Sequence, residues 1–244
     1  METVDAVINL AGEPIARKRW TLEQKEKIVR SRIQATRILV EAMEKAEKKP
    51  RVLINASAAG YYGNVPEGDV TEIHPGGAGF LAGTCEQWEK EALLAEKMGV
   101  RTVLLRNGIV LEKEGGALRK MIPPFRFFVG GPLGTGRQWF PWIHRADVVG
   151  IILFALENDA VSGPVNTTAP HPVRMYEFCH AMGKALKRPS WLPVPGFVLK
   201  CLLGEMSEML ESGQKAVPQK LLREHYVFKF PALEDALRDI FSKT

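Results

Sequence analysis

Cysteine is scarce in this chain of 244 residues: Cys85, Cys179 and Cys201 stand far apart, in segments that read as helical. That spacing excludes a disulfide framework and any CxxC zinc or redox site, and it fits a reducing compartment such as the cytoplasm. No apolar run reaches the roughly 18 residues of a membrane span, and the opening METVDAVINLAG lacks the basic lead-in of a secretion signal, so no membrane partner is expected. Neither sign of charge dominates. The 33 Lys+Arg and 28 Asp+Glu leave a net charge of +5, and the interleaved acids would weaken any phosphate track, so no nucleic-acid partner is expected either.

Several catalytic signatures are missing as well. No G-x-G-x-x-G follows the first strand-like run, and the nearest glycine cluster, Gly130 to Gly136, precedes Arg137, Gln138 and Trp139 rather than a helix and has no GK[ST] ending. No Tyr has Lys four residues on: Tyr61, Tyr62, Tyr176 and Tyr226 are followed at that distance by Val65, Pro66, His180 and Phe230. Ser212 and Lys215 match S-x-x-K without its companion motifs, and Ser57 lies in NASAAG rather than in a G-x-S-x-G elbow. The histidines, His74, His144, His171, His180 and His225, show no paired ligand spacing, so no metal site is expected.

What is present has a regular rhythm. Val4 to Leu10 is a short apolar run closing on Ala11 and Gly12, as a buried parallel strand closes on its loop. Thr21 and Gln24 open a segment in which Leu22, Val29, Ile33, Thr36, Val40 and Met43 keep helical spacing, until Lys48, Lys49 and Pro50 end it. Arg51 to Ser57 is a second buried strand, followed by a Gly/Pro-rich loop from Gly63 to Gly79, a helix from Thr84 to Met98 stopped by Gly99, and a strand from Val100 to Arg106. Strand, helix, strand, helix, strand at this spacing needs crossover connections, hence a parallel sheet with helices on its faces. Beyond Arg106 an irregular, glycine-punctuated region is expected, then helices at 147–156 and 175–186 around a short strand at 164–167. From Leu192 the composition shifts to a small, mostly helical cap ending in a helix at 233–241. The predicted division is an incomplete Rossmann-like domain over residues 1–190 and a small C-terminal domain over 191–244.

INLAGEPI at 8–15, WTLEQKEKIVRSRIQAT at 20–36, NASAAGYYG at 55–63, LLRNGIVL at 104–111, GGPLGTGRQWFPWIHRADVV at 130–149 and LPVPGFVLKCLLGEM at 192–206 together resemble one family, along nearly the whole chain. It is the epimerase-like, atypical extended branch of the short-chain dehydrogenase/reductases, NADP-dependent oxidoreductases with a small C-terminal domain of unknown function. The resemblance implies NADP or NAD as cofactor, an unidentified small-molecule substrate and a possible homo-oligomer. Leu10, Ala11 and Gly12 would line the diphosphate and adenosine side. Arg32 would either pair with a phosphate or ribose oxygen or simply expose a charge on its helix. Ser57, Ala58 and Ala59 would lie below the nicotinamide, with Arg106, Asn107, Gly108, Ile109 and Val110 forming the loop over its carboxamide.

Two departures temper those implications. The family opens with a strand, a TGGTGFIG-like glycine turn and a helix, whereas this chain starts at the counterpart of the fourth strand. The expectation is an N-terminally truncated sheet lacking roughly 30 to 50 residues, with cofactor binding weakened by loss of the backbone N–H cradle. Second, Leu81 and Cys85 fall where the family-wide Tyr and Lys stand, and the usual Ser position falls on Ala58. Ser57, Tyr61, Tyr62 and His144 are then the candidate catalytic groups, although a tyrosine in a GYYG turn is more often a packing residue. The alternative to an oxidoreductase or epimerase is a catalytically inactive nucleotide-binding or protein-interaction module.

Overall fold

The computed structural model describes residues 4–242. In chain order the first half contains β1 (Ala6–Asn9), α1 (Leu22–Lys45), β2 (Val52–Ala58), β3 (Val65–Val70), α2 (Phe80–Leu93), β4 (Arg101–Asn107), β5 (Ile109–Leu111) and α3 (Gly116–Arg126). Next come β6 (Trp139–Phe140), β7 (Trp142–His144), α4 (Arg145–Glu157), β8 (Gly163–Thr167), β9 (Val173–Arg174) and α5 (Met175–Leu186). The chain ends with α6 (Gly196–Leu203), α7 (Glu208–Glu211), β10 (Gln214–Ala216), α8 (Gln219–Arg223) and α9 (Leu233–Ser242).

The central sheet has the order β1-β2-β4-β8, with every pair parallel. Its registers bring Asn9 beside Asn55, Ala58 beside Asn107, and Asn107 beside Thr167, so all four strands end along one edge. Alternation of side chains decides what each face buries. On one face Leu53 and Leu104 pack with Val40 and Met43 of α1 and Ala92 of α2. On the other, Ile54, Val103, Leu105 and Val165 meet Ile151, Ile152 and Ala155 of α4 and Leu221 of α8. Helices therefore cover both faces, as the crossover rule requires.

The Gly63–Gly79 segment is not a loop throughout. Val65–Val70 forms β3, which pairs in parallel with β10. Its sequence VPEGDV carries a proline and a charged pair, and Gly68 sits at φ 83, so hydrophobic alternation could not reveal it. The region after Arg106 is also more ordered than its glycines suggest. α3 runs through Pro123 and Pro124, carried by Leu118, Ile122 and Phe125 on one buried stripe. The 127–138 segment is irregular, as expected. Residues 191–242 share a core with the preceding chain: Leu233, Ala236, Leu237 and Ile240 of α9 pack with Leu118, Phe125, Phe140 and Phe178.

Candidate functional site

The common end of β1, β2, β4 and β8 places the predicted site residues around two buried polar networks. At the first, Asn9 donates from Nδ2 to Asn55 Oδ1 (2.6 Å) and Thr36 Oγ1 (2.9 Å), and Trp88 Nε1 donates to Thr36 Oγ1 (2.9 Å). Asn9 Oδ1 accepts the Ala11 N–H at 3.2 Å, fixing the turn that leaves Leu10, Ala11 and Gly12 exposed. Arg32 reaches back from α1, donating to the carbonyls of Glu13 and Ile28 at 3.0 Å, with its guanidinium 5.1 Å from the Trp88 ring centroid. Gly12 lies against that guanidinium: a Cβ there would stand 3.0 Å from Arg32 Cζ. Burial pulls Arg32 below its ordinary pKa.

The second network is built on Arg106. Its Nε and Nη2 form a fork on Glu89 at 2.9 and 2.8 Å, while Nη1 donates to Tyr62 Oη (3.0 Å) and the Glu72 carbonyl (3.2 Å). Ser57 Oγ donates to Glu89 Oε1 at 2.6 Å, and Tyr62 donates to Asn166 Oδ1 at 2.6 Å. Burial opposes the Arg106 charge, but the hydrogen bonds and charge of Glu89 outweigh it and raise its pKa. Burial also pushes the Tyr62 phenol up to about 12. Tyr61 is half-buried, and its ring stacks on the same guanidinium, 3.5 Å from the centroid.

Ser57, Tyr61, Tyr62 and Arg106 thus come together, whereas His144 makes different contacts. Its Nδ1 accepts the Ala146 N–H at 3.0 Å to cap α4, its Nε2 lies 3.4 Å from Asp239 Oδ2, and its ring packs 4.1 Å from Phe230. Asn107 donates to the Ser57 carbonyl at 3.2 Å, and its buried Oδ1, like Thr167 Oγ1 on the adjoining strand, has no hydrogen-bond partner. Ala58 ends β2 beside it, and Val110 pairs with Ile143 behind the loop. Leu81 packs over Gly60. Cys85 is buried, which lifts its thiol pKa to about 11.

Sequence reasoning missed Glu89, Glu72 and Asn166. A signal existed for Glu89: it shares the buried stripe of α2 with Ala82, Cys85 and Ala92, where a carboxylate needs a partner. Glu72 and Asn166, which meet through the Asn166 N–H at 3.1 Å, carry no comparable local mark.

The sequence profile of the NAD dependent epimerase/dehydratase family matches residues 1–167, two thirds of the chain. The chain belongs to that family. A profile described as a domain of unknown function, DUF1731, matches residues 194–240 of this epimerase-family protein. It is 48% identical over 237 residues to the chloroplastic epimerase family protein SDR39U1 homolog of Arabidopsis thaliana, covering 96% of this chain and 68% of the relative. With the epimerase family protein YfhF of Bacillus subtilis it shares 45% identity, over 98% and 78% of the two chains. The crystal structure of human epimerase family protein SDR39U1 (isoform 2) with NADPH superposes with a TM-score of 0.95 at 35% identity, over 100% of this chain and 84% of that one. UDP-glucuronic acid 4-epimerase from Bacillus cereus, solved with NAD, shares the fold at 18% identity and a TM-score of 0.77, over 99% and 75% of the chains. The fold is that of the extended short-chain dehydrogenase/reductases.

Proposed function

We propose that this epimerase-family protein binds a nicotinamide dinucleotide, NADP before NAD, across the carboxyl ends of β1, β2 and β4, and acts as an oxidoreductase or epimerase on a small molecule in a reducing compartment. One observation carries the reading: the parallel order β1-β2-β4-β8 gathers Gly12, Ser57, Ala58 and Asn107 along one edge, where open α/β sheets take their ligands. The NADPH in the human relative supports it, and so does the residue chemistry. Asn107 Oδ1 and Thr167 Oγ1 are buried polar atoms still lacking partners at that edge, and Gly12 keeps the backbone open beside a cationic side chain.

Leu10, Ala11, Gly12 and Arg32 would hold the diphosphate and adenosine side. Ser57 and Ala58 would form the floor, and Asn107 would supply an acceptor to an amide N–H. Arg106 spends its donors on Glu89, Tyr62 and Glu72, so it acts as a positioning residue that holds Ser57 through the Glu89 carboxylate. Val110 backs the loop. When bound, the nicotinamide gives or takes a hydride.

Proton transfer falls to this chain's own groups. Leu81 has no proton to exchange, and Cys85, with a thiol pKa of about 11, stays protonated at neutral pH. Ser57 donates its proton to Glu89, Tyr62 is engaged by Arg106 and Asn166, and His144 caps a helix, which leaves the half-buried Tyr61 as the group to hold and move a proton. These engaged side chains also favour a second reading, a nucleotide-binding protein without turnover. Titrating the protein into NADPH and following nicotinamide fluorescence, then its oxidation over a carbonyl panel, separates the two. Saturable binding with turnover that Tyr61→Phe abolishes supports the enzyme; binding without oxidation favours the second reading; no binding refutes both.

A further inference from the structure

The turn after α3 carries Phe127, Phe128 and Val129, all exposed, Phe127 at 77% and Phe128 at 53%. Phe128 holds a left-handed backbone, φ 63, which bulky residues seldom adopt. Trp191, 66% exposed, and Leu192 stand beside this turn. The Trp191 indole N–H donates to the Phe128 carbonyl at 3.1 Å, and the Trp191 and Leu192 N–H groups donate to the Gly130 carbonyl at 3.2 and 3.3 Å. Two distant segments thus present one apolar, aromatic surface to solvent.

The two segments that form it carry basic charge, and an acid beyond them, Glu211, lies against Gly134 and Gly196. The Arg188 guanidinium lies 4.7 Å from the Phe128 ring centroid, and Arg126 and Lys187 are exposed on the same two segments. No Asp or Glu occurs between Glu114 and Asp147, nor between Glu177 and Glu205, although acids and bases are interleaved in α1 and α2. An exposed cluster of aromatic side chains marks an interaction surface. A second copy docked symmetrically through the same patch would bring one basic face, with Arg126, Lys187 and Arg188, up to another. An anionic bilayer suits the face better: aromatic rings settle at headgroup depth, and Arg and Lys keep their charges among the phosphates.

We propose that the 127–129 turn and Trp191–Leu192 form a peripheral docking surface for an anionic lipid bilayer. The contact is superficial, because no described helix is long and apolar enough to cross a membrane.

Flotation of the full chain with vesicles of phosphatidylcholine, with and without phosphatidylglycerol, tests the idea. Flotation with the anionic vesicles alone is expected. Arg126→Gln with Arg188→Gln should weaken partitioning roughly thirtyfold, about fivefold per charge removed. Phe127→Ser with Phe128→Asn should abolish it while circular dichroism and the melting temperature hold, since Asn tolerates left-handed backbone. Absent flotation, equal flotation with neutral vesicles, or flotation indifferent to both variants overturns the proposal. A dimer that the phenylalanine variant dissociates, with vesicles unbound, assigns the face to a second copy and overturns it too.

Discussion

Removing the Glu89 carboxylate should unsettle the whole site. Glu89 and Arg106 are 6% and 3% exposed at the side chain, and the fork between them also receives the Ser57 proton. Glu89→Leu leaves a buried guanidinium without its counter-charge, a loss of about 3 to 5 kcal/mol. Replacing both partners, Glu89→Leu with Arg106→Met, removes that penalty. What remains is the cost of leaving Ser57 and Tyr62 short of partners, about 1 to 3 kcal/mol. The double variant should therefore be more stable than Glu89→Leu alone. Urea denaturation followed by circular dichroism and tryptophan fluorescence gives all the terms of the cycle. If each single variant loses under about 1 kcal/mol, or the two losses simply add, the pair is not a buried, coupled one, and the positioning role of Arg106 fails.

Cys85 and Cys179 are buried, which lifts their thiol pKa values to about 11 and about 12, whereas Cys201 is exposed. One thiol per chain should react rapidly with a chromogenic disulfide at neutral pH, and Cys201→Ser should remove that fast phase. Burial raises the folded-state pKa of Tyr62 from 10 to about 12. Its contribution to stability is therefore complete below pH 10 and is lost as pH rises through about 12. Wild type should lose roughly 2 to 3 kcal/mol over that window relative to Tyr62→Phe, measured by denaturant midpoints at each pH. Asp147 is buried and accepts the Lys229 and Phe230 N–H groups at 2.6 and 3.0 Å. Asp147→Ala should cost about 1 to 3 kcal/mol and expose residues 224–232 to proteases before global unfolding.

Much of the frame was legible because its signals are local. Val52–Ala58 and Arg101–Asn107 each carry a short apolar stretch, Val52 to Ile54 and Val103 to Leu105, that closes on small or polar residues, and Thr21 caps α1 through the Gln24 N–H as its side chain predicts. β3 stayed hidden because its partner, β10, lies far along the chain and its own residues are mostly exposed. α3 was obscured by Pro123 and Pro124, although its buried stripe repeats at 118, 122 and 125. The candidate site divided the same way. Its strand-end residues followed from where the strands close, but the Arg106–Glu89–Ser57 network joins β4, α2 and β2: helical spacing could mark Glu89 as an inward-facing acid, whereas its partners on the two strands follow only from tertiary packing.

Amide hydrogen exchange with and without saturating NADPH tests the central claim most directly. Bound nucleotide at the sheet end should slow exchange at residues 10–13, 57–60 and 106–110 together. Unchanged exchange there, or slowing confined to α3, α5 and α9, would contradict it.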